Sequence, residues 1–213
     1  MEYWCAERTL RKKARSGTFY APEPKHSDFL IMPNYRRVYI GGGCYFFTVV
    51  SYRRQQILCH ENVRTALRDG VREVRATHPF TIDAWVLLPD HLHCIWTLPE
   101  EDSDFGKRWG MIKRYVTKRC SPAFHQDKWM TGSKHRRNES TLWQRRFWEH
   151  LIRDEQDYET HMNYIHYNPV KHGLATKVSN WEYSTFHRYV HDGIYNVNWG
   201  DHVDIPSDIS FGE

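Results

Sequence analysis

FTIDAWVLLPDHLHCIWTL, residues 80–98, reads as two strands and the turn between them. FTIDAWVLL (80–88) is a short β-rich apolar run, and Pro89 with Asp90 supplies the turn. HLHCIWTL (91–98) returns as the hairpin partner. Upstream, CYFFTVVSY (44–52) is β-branched and aromatic and predicts an earlier strand. Gly41, Gly42 and Gly43 before it lack GxGxxG spacing and a following helix, so they read as a flexible entry and not as a nucleotide fingerprint. Between the two sites of strand formation, Val63, Leu67, Val71 and Val74 recur at helical intervals, predicting a helix over 61–76 that Pro79 ends.

Downstream, Phe105, Trp109, Ile112 and Val116 share one face of a helix over 105–120. Residues 121–140 have the composition of an exposed loop, and LWQRRFWEHLI (142–152) reads as a strand or irregular segment. Asp154 is a suitable cap for a helix through about 167, with Tyr158, Met162 and Ile165 as its apolar stripe and Asn168–Pro169 as its close. This order predicts an α+β fold of split βαβ type: an antiparallel sheet with helices on one face and further elements near its edge.

A chain of 213 residues with 40% hydrophobic content supports one domain with a sizeable core. We expect a basic arm over 1–33, a domain over 34–190 and an acidic tail over 191–213. The net charge of +4 matters less than its distribution. Between Phe105 and His150 there are twelve Lys or Arg residues against three acids, and after Arg188 there are five acids and no Lys or Arg. A basic middle suits a polyanion, although a solvated charged face has the same composition. Lys107, Arg114, Lys118, Arg136, Arg137, Arg145, Arg146, Lys171 and His172 are the candidate DNA contacts, and Trp129, Trp143 and Trp148 are candidates to stack bases, the last two fitting a core better. Five dispersed cysteines without a CxxC pair suggest free thiols in a reducing compartment. The polar N-terminus and the absence of any uninterrupted apolar run long enough to span a bilayer give the expectation of a cytoplasmic protein without a membrane segment.

The densest chemistry lies at His91-Leu92-His93. Alternation on a strand points both imidazoles to one face, with their Cα atoms about 7 Å apart. They can share one ion and leave positions on it for phosphate oxygens; two structural histidines at a strand end give the same spacing. On the helix after Asp154, His161, Tyr164 and Asn168 fall on one flank beside the apolar stripe. If that flank meets the histidine strand, Asn168 can complete the metal shell and Tyr164 can attack phosphorus. Thirteen tyrosines in the chain make a packing role the ordinary alternative for any one of them. His150 and His161 are possible accessory groups, as well as ordinary structural histidines. No paired-carboxylate arrangement supports a standard two-metal nuclease.

Four stretches together resemble the REP-associated tyrosine transposases, a branch of the single-tyrosine HUH endonucleases. They are YRRVYIGGGCYFFTV (35–49), AWVLLPDHLHCIWTLPE (84–100), LWQRRFWEH (142–150) and RDEQDYETHMNYIHYNPVKHGLATKVSNWEYSTFHR (153–188). The resemblance implies a ferredoxin-like core, His91 and His93 as the metal pair for Mg2+ or Mn2+, and Tyr164 as the nucleophile. It implies cleavage of single-stranded DNA near hairpins of repetitive extragenic palindromes, a 5′-phosphotyrosine, a free 3′-OH, no nucleotide cofactor and a monomer acting in its own site. Related insertion-sequence enzymes carry glutamine four residues after the tyrosine; Asn168, one methylene shorter, stands there. The rival expectations are a hairpin-binding or regulatory protein without chemistry, and a phosphodiesterase that activates water.

Overall fold

The computed structural model describes residues 39–201; the basic arm over 1–33 and residues 202–213 of the acidic tail lie outside them. The element order is β1 (Cys44–Val50), α1 (Glu61–Thr77), β2 (Thr81–Leu87), β3 (His91–Thr97), α2 (Phe105–Phe124), α3 (Gly132–Arg136), β4 (Trp148–Leu151), α4 (Glu155–Lys171) and α5 (Phe186–His191). The strands form one sheet in the order β2-β3-β1-β4, with every neighbouring pair antiparallel. This is the ferredoxin-like βαββαβ arrangement, with β1 between the two strands that flank α2 in the chain.

Both faces of the sheet are apolar, because the central strands carry large side chains at odd and even positions alike. Tyr45, Phe47 and Val49 of β1 and Leu92, Cys94 and Trp96 of β3 point to one face, where α1 and α2 cover them. Trp96 and Trp109 stack there with centroids 4.2 Å apart, an arrangement that contributes about 0.5–1.5 kcal/mol beyond the area it buries. Phe46, Ala84, Val86 and Ile95 point to the other face, under Met162, Tyr164 and Ile165 of α4 and Tyr189 of α5. The expected one-sided helical layer is therefore corrected to a layer on each side. A central strand as apolar as YFFTVV cannot leave its second face in water.

Four local differences from the sequence reading have physical causes. The segment 121–124 completes α2, and a further short helix, Gly132–Arg136, folds over 121–140 because Lys134 is buried. Its Nζ donates to the carbonyl of Ser140 at 2.9 Å and lies 4.0 Å from the Tyr52 ring centroid. In 142–152 only Trp148–Leu151 is strand, while Trp143 forms an isolated bridge to Ser51 and is buried in the core. α4 runs through Pro169 to Lys171 before Gly173, at φ 66°, closes it. There the Leu174 N–H donates to Pro169 O and the Gly173 N–H to Val170 O, both at 2.9 Å, the double bond pattern of a Schellman end. Residues 194–199, read as the start of the tail, instead pack Ile194, Tyr195 and Trp199 against α4 and α5. The Asp154 cap forms as expected, its carboxylate accepting from the Asp157 N–H at 2.8 Å. Cys44, Cys59, Cys94 and Cys120 are free thiols.

Candidate active site

Register decides what shares a face. Trp148, Thr48, His93 and Val86 form one rank across the sheet, and His150, Phe46, Ile95 and Ala84 form the next, all facing α4. His91 lies one step further along β3, opposite Val50. The hairpin turn fixes this: one residue of slip would send both histidines into the α1/α2 core.

The two imidazoles sit 4.8 Å apart by centroid, nearly perpendicular, and both are buried. Each is oriented through Nδ1. Asp90 Oδ1 lies 2.6 Å from Nδ1 of His91, and Thr48 Oγ1 lies 2.9 Å from Nδ1 of His93. Asp90 is held in turn by Arg54, whose Nη1 donates to Oδ2 at 2.8 Å. Burial opposes ionisation of Asp90, but the hydrogen bonds from His91 and Arg54 prevail and bring its pKa down to about 2. With Nδ1 engaged, Nε2 is the ring atom left for an ion, and Nε2 of His91 is buried without a hydrogen bond. A carboxylate behind one histidine and a hydroxyl behind the other is the arrangement that fixes metal-ligating imidazoles. The donor set fits a divalent cation.

α4 lies against this pair. The Tyr164 ring is 5.2 Å from that of His93, and two helical turns later the His172 ring is 5.3 Å from that of His91. Asn168, midway between them on the same flank, is fully buried. Lys171 donates from Nζ to the Tyr164 hydroxyl at 3.3 Å. The flank beside the apolar stripe is covered as fully as the stripe itself: Asp157, His161, Tyr164 and Asn168 are buried along with Met162 and Ile165. The sheet covers one side of the helix, and α5 with residues 194–199 covers much of the rest.

A second group of ligands adjoins the first, with Phe46 between them. Its ring is 5.4 Å from His93 and 4.8 Å from His161. His150, Asp157 and His161 bring ligand atoms within 4.8 Å of one another, a His/Asp cluster capable of coordinating a divalent cation. Asp157 receives His150 Nε2 at 2.8 Å and Arg153 Nε at 3.0 Å. Burial raises the Asp157 pKa, yet these donors outweigh it and the net direction is down. Burial, reinforced by the neighbouring His150, drops His161 to about 4. It is neutral near pH 7, the form a ligand needs.

The structure thus brings together His91, His93, Tyr164, Asn168, Lys171 and His172, with His150 and His161 next to them. It does not bring Lys107, Arg114 and Lys118 there. They are exposed on α2, across the sheet from Tyr164, because the stripe that docks α2 belongs to the other core. Arg136, Arg137, Arg145 and Arg146 are exposed on and after α3, where Arg145 pairs with Glu139 at 2.6 Å. Trp129 lies beside Tyr52, Arg53 and Lys128. Asp90, Arg54 and Thr48 were not expected. The adjacency of Asp90 to His91 was a readable signal; Thr48 reaches His93 only through strand register.

A ferredoxin-like sheet with an HxH pair on a central strand, facing a tyrosine on the following helix layer, defines the HUH class of single-tyrosine endonucleases. No protein-family model matches the chain. It is 46% identical over 183 residues to the REP-associated tyrosine transposase of Escherichia coli K12, covering 85% of this chain and 98% of the relative. It is 39% identical over 174 residues to a Haemophilus influenzae protein assigned to the same group, covering 82% of this chain and 97% of that one. A solved structure of a REP-associated tyrosine transposase bound to a REP hairpin matches with a TM-score of 0.69 at 44% identity, covering 85% of this chain and 98% of that one. The chain belongs to the REP-associated tyrosine transposases. No helix among the described residues is long and apolar enough to cross a membrane.

Proposed function

We propose that this protein cleaves and rejoins single-stranded DNA beside REP-type hairpins, with Tyr164 as the nucleophile. The observation that carries the reading is the 5.2 Å approach of the Tyr164 ring to His93, on the sheet face that His91 shares. His91 and His93 would hold Mg2+ or Mn2+ through Nε2, with Asn168 Oδ1 offered from α4 as a third donor. When bound, the ion supplies positive charge to the non-bridging oxygens of the scissile phosphate. Asp90 and Thr48 keep the imidazoles aimed. The Tyr164 oxygen forms a bond to phosphorus, the bond from phosphorus to the 3′ oxygen breaks, and the products are a 5′-phosphotyrosine and a 3′-OH. The ester conserves the energy of the broken bond, so a second 3′-OH can restore a phosphodiester without a nucleotide cofactor.

The basic residues divide the substrate. Lys171 and His172 border the scissile phosphate. Arg136, Arg137, Arg145 and Arg146, on the α3 side, would follow the flanking strand, while Lys107, Arg114 and Lys118 would meet a part of the DNA that lies away from the cut. The hairpin held by the 44% identical relative supports a substrate with such a duplex part. The enzyme works as a monomer in the bacterial cytoplasm, at the nucleoid. The test is a labelled hairpin oligonucleotide with a single-stranded flank, incubated with Mn2+ and resolved under denaturing conditions. The parent protein should form a covalent adduct and Tyr164→Phe none; cleavage by Tyr164→Phe at the parent rate would remove Tyr164 from the reaction.

A further inference from the structure

The hydroxyl of Tyr164 is met by a cation from its own helix. Lys171 Nζ lies 3.3 Å from the phenol oxygen and 4.8 Å from the ring centroid. Seven residues are close to two full turns, so both side chains leave α4 on the same flank. The contact depends on the helix continuing past Pro169. Had α4 stopped at Asn168, as the proline suggests, Lys171 would belong to a loop with no fixed relation to the tyrosine. The close formed by Leu174 and Gly173 extends the helix far enough to hold Lys171 in place.

An ammonium hydrogen-bonded to a phenol oxygen gains most when that oxygen becomes anionic. It gains more where water is partly excluded, and Tyr164 is only 4% exposed with Lys171 half-buried beside it. We propose that Lys171 is a catalytic residue that carries the negative charge of the Tyr164 oxygen in both cleavage and rejoining, an inference that rests on Tyr164 being the nucleophile. In cleavage the phenol proton passes to water as the oxygen bonds to phosphorus. The electron pair of the broken bond goes to the 3′ oxygen, which takes a proton from water. In rejoining, the incoming 3′-OH loses its proton to water and bonds to phosphorus, and the bond to the Tyr164 oxygen breaks with its pair left on the phenolate. Lys171 donates to that oxygen in both directions and keeps its own protons throughout.

A lysine that touches only DNA phosphate has a different signature. Its loss weakens binding and flattens the salt dependence, and saturating DNA restores the rate. The experiment uses the full chain with Mn2+ and the labelled hairpin oligonucleotide at saturation. It compares the parent with Lys171→Met, Lys171→Arg and Lys171→Ala for single-turnover adduct formation, for strand transfer from isolated adduct to a 3′-OH oligonucleotide, and for hairpin Kd by anisotropy. Lys171→Met should lose about a hundredfold in both rates at saturating DNA, as expected for removing one donor to a developing oxyanion, a loss that its change in Kd does not account for. Lys171→Arg should retain part of the rate, and added ethylammonium should rescue Lys171→Ala, a response that a folding defect does not give. Parent rates in Lys171→Met at saturation, or a loss explained by Kd, would overturn the assignment. So would failure of ethylammonium to rescue a folded Lys171→Ala. If Tyr164→Phe is inert while Lys171→Met is fully active, only the role of Lys171 fails; an adduct formed by Tyr164→Phe removes the nucleophile itself.

Discussion

An imidazole at a strand end turns about two side-chain bonds, and an ion that needs two of them must overcome that freedom twice. Here it is removed before any ion arrives, by Asp90 behind His91 and Thr48 behind His93. The backbone contributes as well. Arg53 and Arg54 occupy left-handed φ angles of 55° and 52°, a conformation that costs a non-glycine residue about 1–2 kcal/mol. In return, the Arg54 guanidinium meets Asp90. Asp90→Ala should therefore lower Mn2+ affinity by about ten- to a hundredfold, read by titration of the full chain. An affinity equal to the parent's would mean that Asp90 does not orient a ligand. At this scale the sequence was partly legible. Spacing made the HxH pair and Tyr164 candidates beside their packing alternatives and the family resemblance chose them, but Thr48 gave no signal, since it stands 45 residues from His93 and meets it only once β1 and β3 are in register.

Among the elements, α4 shows best why a local pattern misleads. Its stripe of Tyr158, Met162 and Ile165 was readable, and so was the Asp154 cap. The burial of the neighbouring flank was not, because its cover is the sheet far upstream: the Phe46 ring lies 4.8 Å from His161 and 6.1 Å from Tyr164. Pro169 read as a terminator. Its ring removes only the N–H that would reach the Ile165 carbonyl, whereas the carbonyls of Pro169 and Val170 after it are still met by Leu174 and Gly173. Gly173 sits at φ 66° with open space where a Cβ would project, so Gly173→Ala brings backbone strain and no clash. That substitution should cost about 1 kcal/mol and lower Tm by about 2–4 °C, measured by thermal unfolding. A variant as stable as the parent would show that the left-handed close is not limiting. The βαββ half of the fold was legible from periodicity, whereas for β4 only the segment 142–152 was and not the bounds, the strand being four residues long among aromatic residues of mixed burial.

For the molecule as a whole, the sheet is the middle of a sandwich, with hydrophobic packing on both sides and the candidate site within one of them. One helical layer was expected, and a second on the opposite face was not, because an apolar strand reveals burial but not which element covers each face. α4 is fastened to the sheet at the far end too, since the chain beyond it returns to β2. The Leu87 N–H donates to Tyr183 O, the Thr185 N–H to Trp85 O, and the Trp85 N–H to Thr185 Oγ1, each at 2.9 Å. Mixing His91→Ala with Tyr164→Phe should consequently restore no adduct at any protein concentration, and recovery on mixing would mean that two chains exchange their tyrosine helices. The outer margin of β2 is thus zipped to its own polypeptide, leaving no bare ribbon there for a stranger to extend. Tyr164 and the two histidines travel on one thread, and in the proposed reaction a cut strand's two ends have a single custodian.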